Sequence, residues 1–225
     1  MRDDGLAALE AQVARDLTLL DYPARSWVPP RAHRDGHVFD VVIVGGGQAG
    51  LATGFGLMRE KVGNILVIDR NPVGREGPWV TFARMVTLRT PKHLTGPDLG
   101  IPSLTPRAWY EAKYGADAWA ALGKLPREVW QDYLNWYRRT LNIPVRNGHD
   151  LIRVDPEEET GILRLTVETA EGETLILARK LVLATGIDGA GRWHVPDFIR
   201  GVVPEERYAH TSEYIDFTRL RGKRI

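Results

Sequence analysis

The fold of this chain is decided by the stretch Phe39–Val44 (FDVVIV), which runs directly into Gly45–Gly50 (GGGQAG). A short, largely apolar run of this kind is typical of a parallel strand that is buried on both faces. Leu51–Lys61 is predicted to be a helix, and Asn64–Ile68 a second buried strand that ends at Asp69. A strand, a glycine-rich turn, a helix and a second strand within about 30 residues predict one right-handed βαβ unit.

The glycines of this turn have the Gly-x-Gly-x-x-Gly spacing that is typical of dinucleotide sites. The first glycine permits the tight turn, the second lets the backbone approach a pyrophosphate, and the third lets the helix pack on the strand. The N-terminus of the helix presents free N–H groups and the positive end of its dipole to the phosphates. We therefore assign five residues of the turn to a cofactor site: Gly45, Gly47, Gln48, Ala49 and Gly50.

An acidic residue completes the motif at the end of the second strand. Asp69 follows Gly50 by roughly 20 residues, where a carboxylate accepts hydrogen bonds from ribose hydroxyls. The same negative charge would repel a 2′-phosphate, so the site suits NAD or the adenosine half of FAD rather than NADP. Arg70, which follows Asp69, is assigned to the same site.

The chain before residue 36 is predicted to form a helix and an extended arm. Apolar residues recur there at helical spacing until Tyr22–Pro23 ends the pattern. We expect this helix to pack on the main domain, and the alternative is a helix that binds a partner. The recurring apolar residues are Leu6, Leu9, Val13, Leu17 and Leu20.

After Asp69 the pattern predicts a long irregular loop, then helices, then antiparallel strands. Thr105 and Pro106 are typical of a helix start, and Pro126 begins another helix. Their aromatic residues, from Trp109 to Tyr137, are expected to pack in the core rather than to line a cofactor. Strands are predicted over 144–146, over a meander of 151–155, 162–169 and 174–178, and over 180–184.

The composition excludes several classes of function. The chain has 225 residues, a net charge of +1 and no cysteine. The absence of cysteine excludes disulfides, thiolate nucleophiles and Cys-ligated metals within these residues, and the histidines lack metal-ligand spacing, so no metal is predicted. The near-neutral charge argues against a nucleic-acid partner. We expect no membrane span, no signal peptide, and a cytoplasmic protein.

The order of these elements resembles the FAD domain of the two-dinucleotide-binding flavoproteins, and three segments are similar to flavin-containing monooxygenases. These are GREGPW at 74–79, LVLATG at 181–186, and Phe198-x-x-Gly201 followed by His210-Thr211-Ser212. The last departs from the family's spacing by one residue. The resemblance implies an α/β fold: a Rossmann-like FAD-binding domain with a parallel sheet and an antiparallel β-meander, preceded by the N-terminal helix.

The resemblance also implies further cofactor contacts. The loop 81–97 is the candidate for the flavin face, with a cation near the flavin expected to stabilise its reduced form. A solvated basic loop is the alternative. Met85, Lys92 and His93 lie in this loop. The further residues assigned to the cofactor are Gly77, Trp79, Thr87, Arg89, Leu151, Ala184, Thr185 and Gly186.

Three parts of the chain are predicted: residues 1–35 as the helix and arm, 36–190 as the FAD-binding domain, and 191–225 as a linker and the start of an NAD(P)-binding domain. The chain is expected to stop before that second Rossmann domain, and therefore not to oxidise NADPH rapidly by itself. The resemblance implies a monooxygenase that uses FAD, NAD(P)H, oxygen and a small-molecule substrate. The alternatives are a non-catalytic FAD- or nucleotide-binding fragment and an NAD-dependent dehydrogenase. The catalytic residues and the substrate are not predicted, and a homodimer is left open.

Overall fold

The computed structural model describes residues 3–23, 25–187, 189, 194–210, 213 and 215–224. Its helices are α1 (Asp3–Leu19), α2 (Gln48–Arg59), α3 (Pro106–Tyr114), α4 (Ala116–Ala121), α5 (Arg127–Thr140) and α6 (Asp197–Arg200), with short 3-10 helices at Pro102–Leu104, Glu205–Arg207 and Phe217–Leu220. Its strands are β1 (Ala32–His33), β2 (Gly36–Val44), β3 (Ile65–Asp69), β4 (Val145–Asn147), β5 (Asp150–Glu157), β6 (Ile162–Thr169) and β7 (Gly172–Leu183).

The strands form a mixed sheet in the order β4-β3-β2-β7-β6-β5, and β1 adds a short antiparallel pairing to β2. The strands β4, β3, β2 and β7 are parallel to one another. Their carboxyl ends therefore meet at one edge, where ligands bind in open α/β sheets. The strands β5 and β6 and the first half of β7 pair in antiparallel fashion, which confirms the predicted combination of parallel sheet and meander.

The end of the meander differs from the sequence prediction. Two strands are predicted over 174–178 and 180–184, whereas the structure has the single strand β7. The charged Arg179 interrupts the apolar pattern, but its guanidinium lies 3.1 Å from the buried carboxylate of Asp40 on β2. The strand therefore continues without exposing an unpaired charge, and it joins the meander to the parallel sheet.

Helix α2 covers one face of the parallel sheet at very close range. A Cβ atom on Gly50 would overlap the carbonyl oxygen of Gly45, and one on Gly54 would lie 3.2 Å from Ile143. Glycine at both positions therefore permits the helix to approach the strands. Apolar residues of the meander, such as Leu165 and Val167, cover the opposite face.

The aromatic residues of the helices between β3 and β4 pack in the core, as predicted. Trp109, Trp130, Tyr133 and Tyr137 are all buried. The stretch between Thr105 and Pro126 forms two helices, α3 and α4, rather than one. Gly115 lies between them with φ +99°, a backbone conformation that residues other than glycine rarely adopt.

The N-terminal helix α1 packs on this core, which confirms the expected packing on the main body. Val13 and Leu17 are buried, and the indole nitrogen of Trp136 donates a hydrogen bond of 3.1 Å to Glu10 Oε1. Leu20, predicted to share the buried stripe, lies beyond the end of the helix and is exposed. Across the described ranges, no helix is long and apolar enough to cross a membrane. Thr211 and Ser212 of the third family-like segment lie outside the described residues.

Candidate dinucleotide-binding site

The glycine turn lies at the carboxyl edge of the parallel sheet, between β2 and α2. Gly45 has φ +108°, and its N–H donates a hydrogen bond of 2.8 Å to the carbonyl oxygen of Ile68 on β3. A Cβ atom at Gly45 would overlap the carbonyl oxygen of Ala184, which follows β7. The turn is therefore held between the two neighbouring strands, and its first glycine is required by the fold itself.

Gly47 lies close to a second glycine turn, which contains Gly77. It is the N-terminal cap of α2, with ordinary extended angles, and a Cβ atom there would lie 3.5 Å from the Cα of Gly77. Gly77 has φ +75°. The first turn of α2 contains no acidic residue, so no side chain of the helix itself offsets the positive end of its dipole. Gly47, Gly77 and the N-terminus of α2 together form a cradle, free of side chains, that suits a pyrophosphate.

Asp69 is buried at the end of β3 and binds the turn directly. Its Oδ2 accepts a hydrogen bond of 2.7 Å from the N–H of Gly46, and its Oδ1 accepts one of 2.8 Å from the N–H of Asn71. A carboxylate has about four lone-pair sites, so each oxygen retains capacity for a ribose hydroxyl. The predicted ribose acceptor therefore also fixes the glycine turn, a role that spacing alone does not reveal.

An ion pair beside Asp69, between a buried glutamate and a half-buried arginine, was not predicted. Glu76, with only 4% of its side chain exposed, lies 2.6 Å from Arg138 Nη1 of α5. Asn147 Nδ2 donates a hydrogen bond of 2.7 Å to the same oxygen of Glu76, and Arg138 Nη2 donates one of 3.0 Å to the carbonyl of Val145. The Glu76–Arg138–Asn147 cluster thus ties the second glycine turn to α5 and β4. The signal available was a glutamate directly before the glycine of the second turn, in the segment GREGPW.

The predicted segment Ala184–Gly186 reaches the same edge. The N–H of Ala184 donates a hydrogen bond of 2.8 Å to the carbonyl of Val44, and Gly186 has φ +81°. Thr185 lies between them, and its backbone nitrogen would be 3.4 Å from a Cβ atom on Gly45. The structure therefore brings this segment, the glycine turn, Asp69 and Gly77 together.

Trp79 lies next to this cradle and has an unsatisfied donor. Its indole nitrogen is buried and has no hydrogen-bond partner among the described residues. The same nitrogen lies 3.9 Å from the position of a Cβ atom on Gly77. A ligand oxygen at the second glycine turn would supply the missing acceptor, as the assignment of Trp79 to the cofactor expects.

The loop 81–97 is held against the start of α5. Thr87 forms an isolated antiparallel bridge with Pro126, and the carbonyl oxygens of Trp79 and Ala83 accept hydrogen bonds of 2.7 and 3.0 Å from Arg127. Arg127 was not predicted as a site residue, although it fixes the loop that was.

The basic residues of this loop differ in their surroundings. Lys92 donates hydrogen bonds to the carbonyls of Trp119, Ala120 and Leu122 and so caps the end of α4. It is therefore committed to the scaffold, and the side chain of Arg89 remains exposed beside it. Met85 is half-buried and His93 is exposed.

The other assigned residues are less closely grouped. Gln48 and Ala49 are exposed on the first turn of α2, and Arg70 is exposed just after Asp69. Leu151 is half-buried on β5 and packs against the apolar cluster under the meander. The position of Leu151 is explained by this packing.

Comparison with known sequences decides the family. The sequence profile described as FAD-NAD(P)-binding matches residues 42–188, more than half of the chain. The chain belongs to the FAD-NAD(P)-binding family. The matched residues of this FAD-NAD(P)-binding chain contain the whole cradle described above, and the expected cofactor, FAD, is confirmed at the level of the family.

Two curated relatives of this FAD-NAD(P)-binding chain are described as a hydroxylase and an oxidoreductase. It is 56% identical over 220 residues to the "FAD-dependent urate hydroxylase" of Xanthomonas campestris pv. campestris, covering 98% of this chain and 46% of the relative. It is 24% identical over 186 residues to the "Uncharacterized oxidoreductase CzcO-like" of Geobacillus kaustophilus, covering 82% of this chain and 46% of the relative. The chain thus spans about half the length of the curated relatives it matches.

Solved structures of flavin enzymes share the fold. The ornithine hydroxylase PvdA of Pseudomonas aeruginosa in its reduced form matches with a TM-score of 0.62 at 20% identity, covering 78% of this chain and 44% of PvdA. DfoA of Erwinia amylovora, a cadaverine monooxygenase bound to FAD, matches with a TM-score of 0.59 at 18% identity, covering 84% of this chain and 43% of DfoA. The predicted Rossmann-like fold is confirmed by these structures, and the resemblance to FAD- and NAD(P)-binding flavoproteins is confirmed by the family match.

Proposed function

We propose that this chain holds FAD for an FAD- and NAD(P)H-dependent hydroxylase whose substrate is urate or a closely similar oxidised purine. The observation that carries the proposal is the cradle of Gly47, Gly77 and the N-terminus of α2, with Asp69 beside it. The substrate class is supported by 56% identity to the urate hydroxylase over nearly the whole chain.

The residues of the chain bind and orient the cofactor. The free N–H groups at the start of α2 would hold the pyrophosphate beside Gly47 and Gly77, and the carboxylate of Asp69 would accept hydrogen bonds from the adenosine ribose. The N–H of Trp79 would donate to an oxygen at the second glycine turn. Bound FAD would supply hydride and oxygen chemistry that no side chain offers.

Several finer assignments remain predictions from the sequence. They include the individual cofactor contacts of Arg70, Thr87, Arg89 and Leu151, and the division of the chain at residues 35 and 190. A cytoplasmic location and a homodimer also remain predictions. The small-molecule substrate follows from the proposed hydroxylation.

The proposal is tested in two steps. First, the purified chain is titrated with FAD, and saturable quenching of flavin fluorescence is expected. Second, residues of the Xanthomonas relative that match this chain are replaced by it, and the chimera is assayed for urate-dependent oxidation of NADH and NADPH. Xanthine, which lacks the C8 oxygen of urate, and a chimera with Gly47→Val are the controls.

Each outcome has a distinct meaning. Urate-dependent oxidation by the chimera, absent with Gly47→Val, supports the hydroxylase. A chimera that binds FAD but shows no dependence on urate contradicts the substrate and favours an FAD-binding module of other use. A chain and a chimera that both bind no FAD contradict the proposal entirely.

A further inference from the structure

We infer that Arg138 is a positioning residue for the cofactor: it neutralises the buried carboxylate of Glu76 beside the glycine turn, and without it that carboxylate would repel the pyrophosphate. The inference deepens the proposed function and rests on FAD binding at this cradle. Neither Arg138 nor Glu76 belongs to the glycine motif.

The geometry places two carboxylates around one glycine. A Cβ atom on Gly46 would lie 3.1 Å from Cγ of Glu76 and 3.3 Å from Cβ of Asp69. Gly46 immediately precedes Gly47, which faces the cradle. Both side chains therefore lie next to Gly46, the neighbour of the glycine at which the doubly negative pyrophosphate is proposed to bind.

The two carboxylates are compensated differently. Asp69 accepts hydrogen bonds from two backbone N–H groups, those of Gly46 and Asn71. Glu76 depends on side chains: Arg138 at 2.6 Å, and Asn147, whose amide is shared with the carbonyl of Asn71. Arg138 is the only cation within 4 Å of Glu76 among the described residues. An uncompensated charge at this depth is weakly screened by salt and acts strongly on neighbouring charges.

Arg138 is built into the fold rather than free at the surface. Beyond Glu76, it donates to Oδ1 of Asn147 at 2.9 Å and to the carbonyl of Val145 at 3.0 Å. The next residue, Arg139, has 69% of its side chain exposed and forms a 3.4 Å pair with Glu10 on α1. Two neighbouring arginines of α5 therefore offer a matched pair, one at the cradle and one away from it.

A charge role and a purely structural role predict different results. If Arg138 acts by cancelling the charge of Glu76, removing both charges restores FAD binding. If Arg138 acts only as a brace between α5, β4 and the second glycine turn, the double variant is no better than the single one.

The experiment measures the FAD dissociation constant by fluorescence quenching for the wild-type chain, Arg138→Gln, Glu76→Gln, the double variant and Arg139→Gln. Circular dichroism melts report whether each variant is folded. ADP and adenosine, which differ in the pyrophosphate, are titrated as competitors of FAD.

We expect Arg138→Gln to weaken FAD binding by about 30-fold, which is the lower range for removing one partner of a buried charge pair at a binding site. The double variant and Glu76→Gln should bind FAD within about threefold of wild type, and Arg139→Gln should match wild type. Arg138→Gln should weaken competition by ADP and leave competition by adenosine unchanged.

Two results would overturn the inference: a double variant that binds FAD as weakly as Arg138→Gln, or an Arg138→Gln chain that binds like wild type. If Arg138→Gln does not fold, Arg138→Lys and the double variant decide, because the charge role requires both to bind FAD. Failure of the wild-type chain to bind FAD would instead refute the proposed function, so the two failures are distinguishable.

Discussion

Gly45 and Gly47 are two residues apart, yet the structure makes different demands on them. Gly45 has a positive φ and no room for a Cβ atom, because the carbonyl of Ala184 occupies that place. Gly47 has ordinary angles, and its nearest neighbour is the backbone of Gly77 at 3.5 Å. The first glycine is required by the sheet, and the second is proposed to make room for the ligand.

The two glycines should therefore fail in different ways. We expect Gly47→Val to keep the melting temperature within a few degrees and to abolish FAD binding, because the side chain fills the cradle. Gly45→Val should lower the free energy of unfolding by about 3 kcal/mol or more, from backbone strain and overlap together. Thermal melts and FAD titrations of both variants check this, and a Gly47→Val chain with wild-type affinity would contradict the pyrophosphate assignment.

Asp69 should affect both the fold and the cofactor, since its carboxylate fixes the turn and is proposed to bind the ribose. In Asp69→Asn, an NH₂ group replaces an acceptor of the N–H groups of Gly46 and Asn71. We expect a loss of about 1–3 kcal/mol in the free energy of unfolding and a similar loss in FAD affinity. Urea unfolding and FAD titration measure the two. Asp155→Asn, an exposed acid paired with Arg153, is the control and should change neither quantity.

At the scale of the element, the loop residue Lys92 stabilises the end of helix α4. Its ammonium group collects three carbonyls at the end of α4 and lies 5.2 Å from the ring centroid of Trp119. We expect Lys92→Met to lower the free energy of unfolding by about 1–2 kcal/mol with little change in FAD affinity. Lys124→Met, which removes one 3.2 Å hydrogen bond to Arg89, should cost less. A large loss of FAD affinity in Lys92→Met, with stability unchanged, would contradict this structural role and would instead support a contact between Lys92 and the flavin.

Helix α5 carries two tyrosines whose ionisation is opposed by the core. Burial, together with Tyr137 and Asp98, raises the pKa of Tyr133 well above its usual range, and burial followed by Asp98 also raises the pKa of Tyr137. Tyr133 donates a 2.7 Å hydrogen bond to the carbonyl of Leu104.

Because the unfolded chain ionises these phenols near pH 10 while the folded chain keeps them neutral, stability is fully present below pH 10 and falls as the pH rises further. We expect the free energy of unfolding to decline from about pH 10 upward, and the decline to be shallower in Tyr133→Phe. Urea unfolding at pH 8 to 11 tests this, and equal slopes for both proteins would contradict it.

For the whole molecule, the sequence predicted what depends on local pattern. The βαβ unit was predictable because its strand, glycine spacing and acid occur within about 30 residues, and the cap at Thr105 accepts the expected hydrogen bond from Ala108. The fusion of two strands into β7 was missed, because the charge of Arg179 is compensated by Asp40, which is 139 residues away in sequence. The Glu76–Arg138 pair was missed for the same reason, since 62 residues separate its members. Sequence periodicity reports on residues that are close along the chain. The pairs of Arg179 with Asp40 and of Glu76 with Arg138 join residues that are far apart in sequence.

The position of β2 between β3 and β7 also sets the order in which this site is completed. The pairing of β2 with β3 closes a short loop, but its pairing with β7 joins Val38 to Leu177 and Val44 to Leu183. Closure of the longer loop costs more entropy and is slower. During synthesis from the N-terminus, the contacts of the glycine turn with Asp69 can therefore form early. Its contacts with Ala184 can form only after β7 has left the ribosome. FAD, which would bind the folded site, can thus stabilise the finished sheet by mass action.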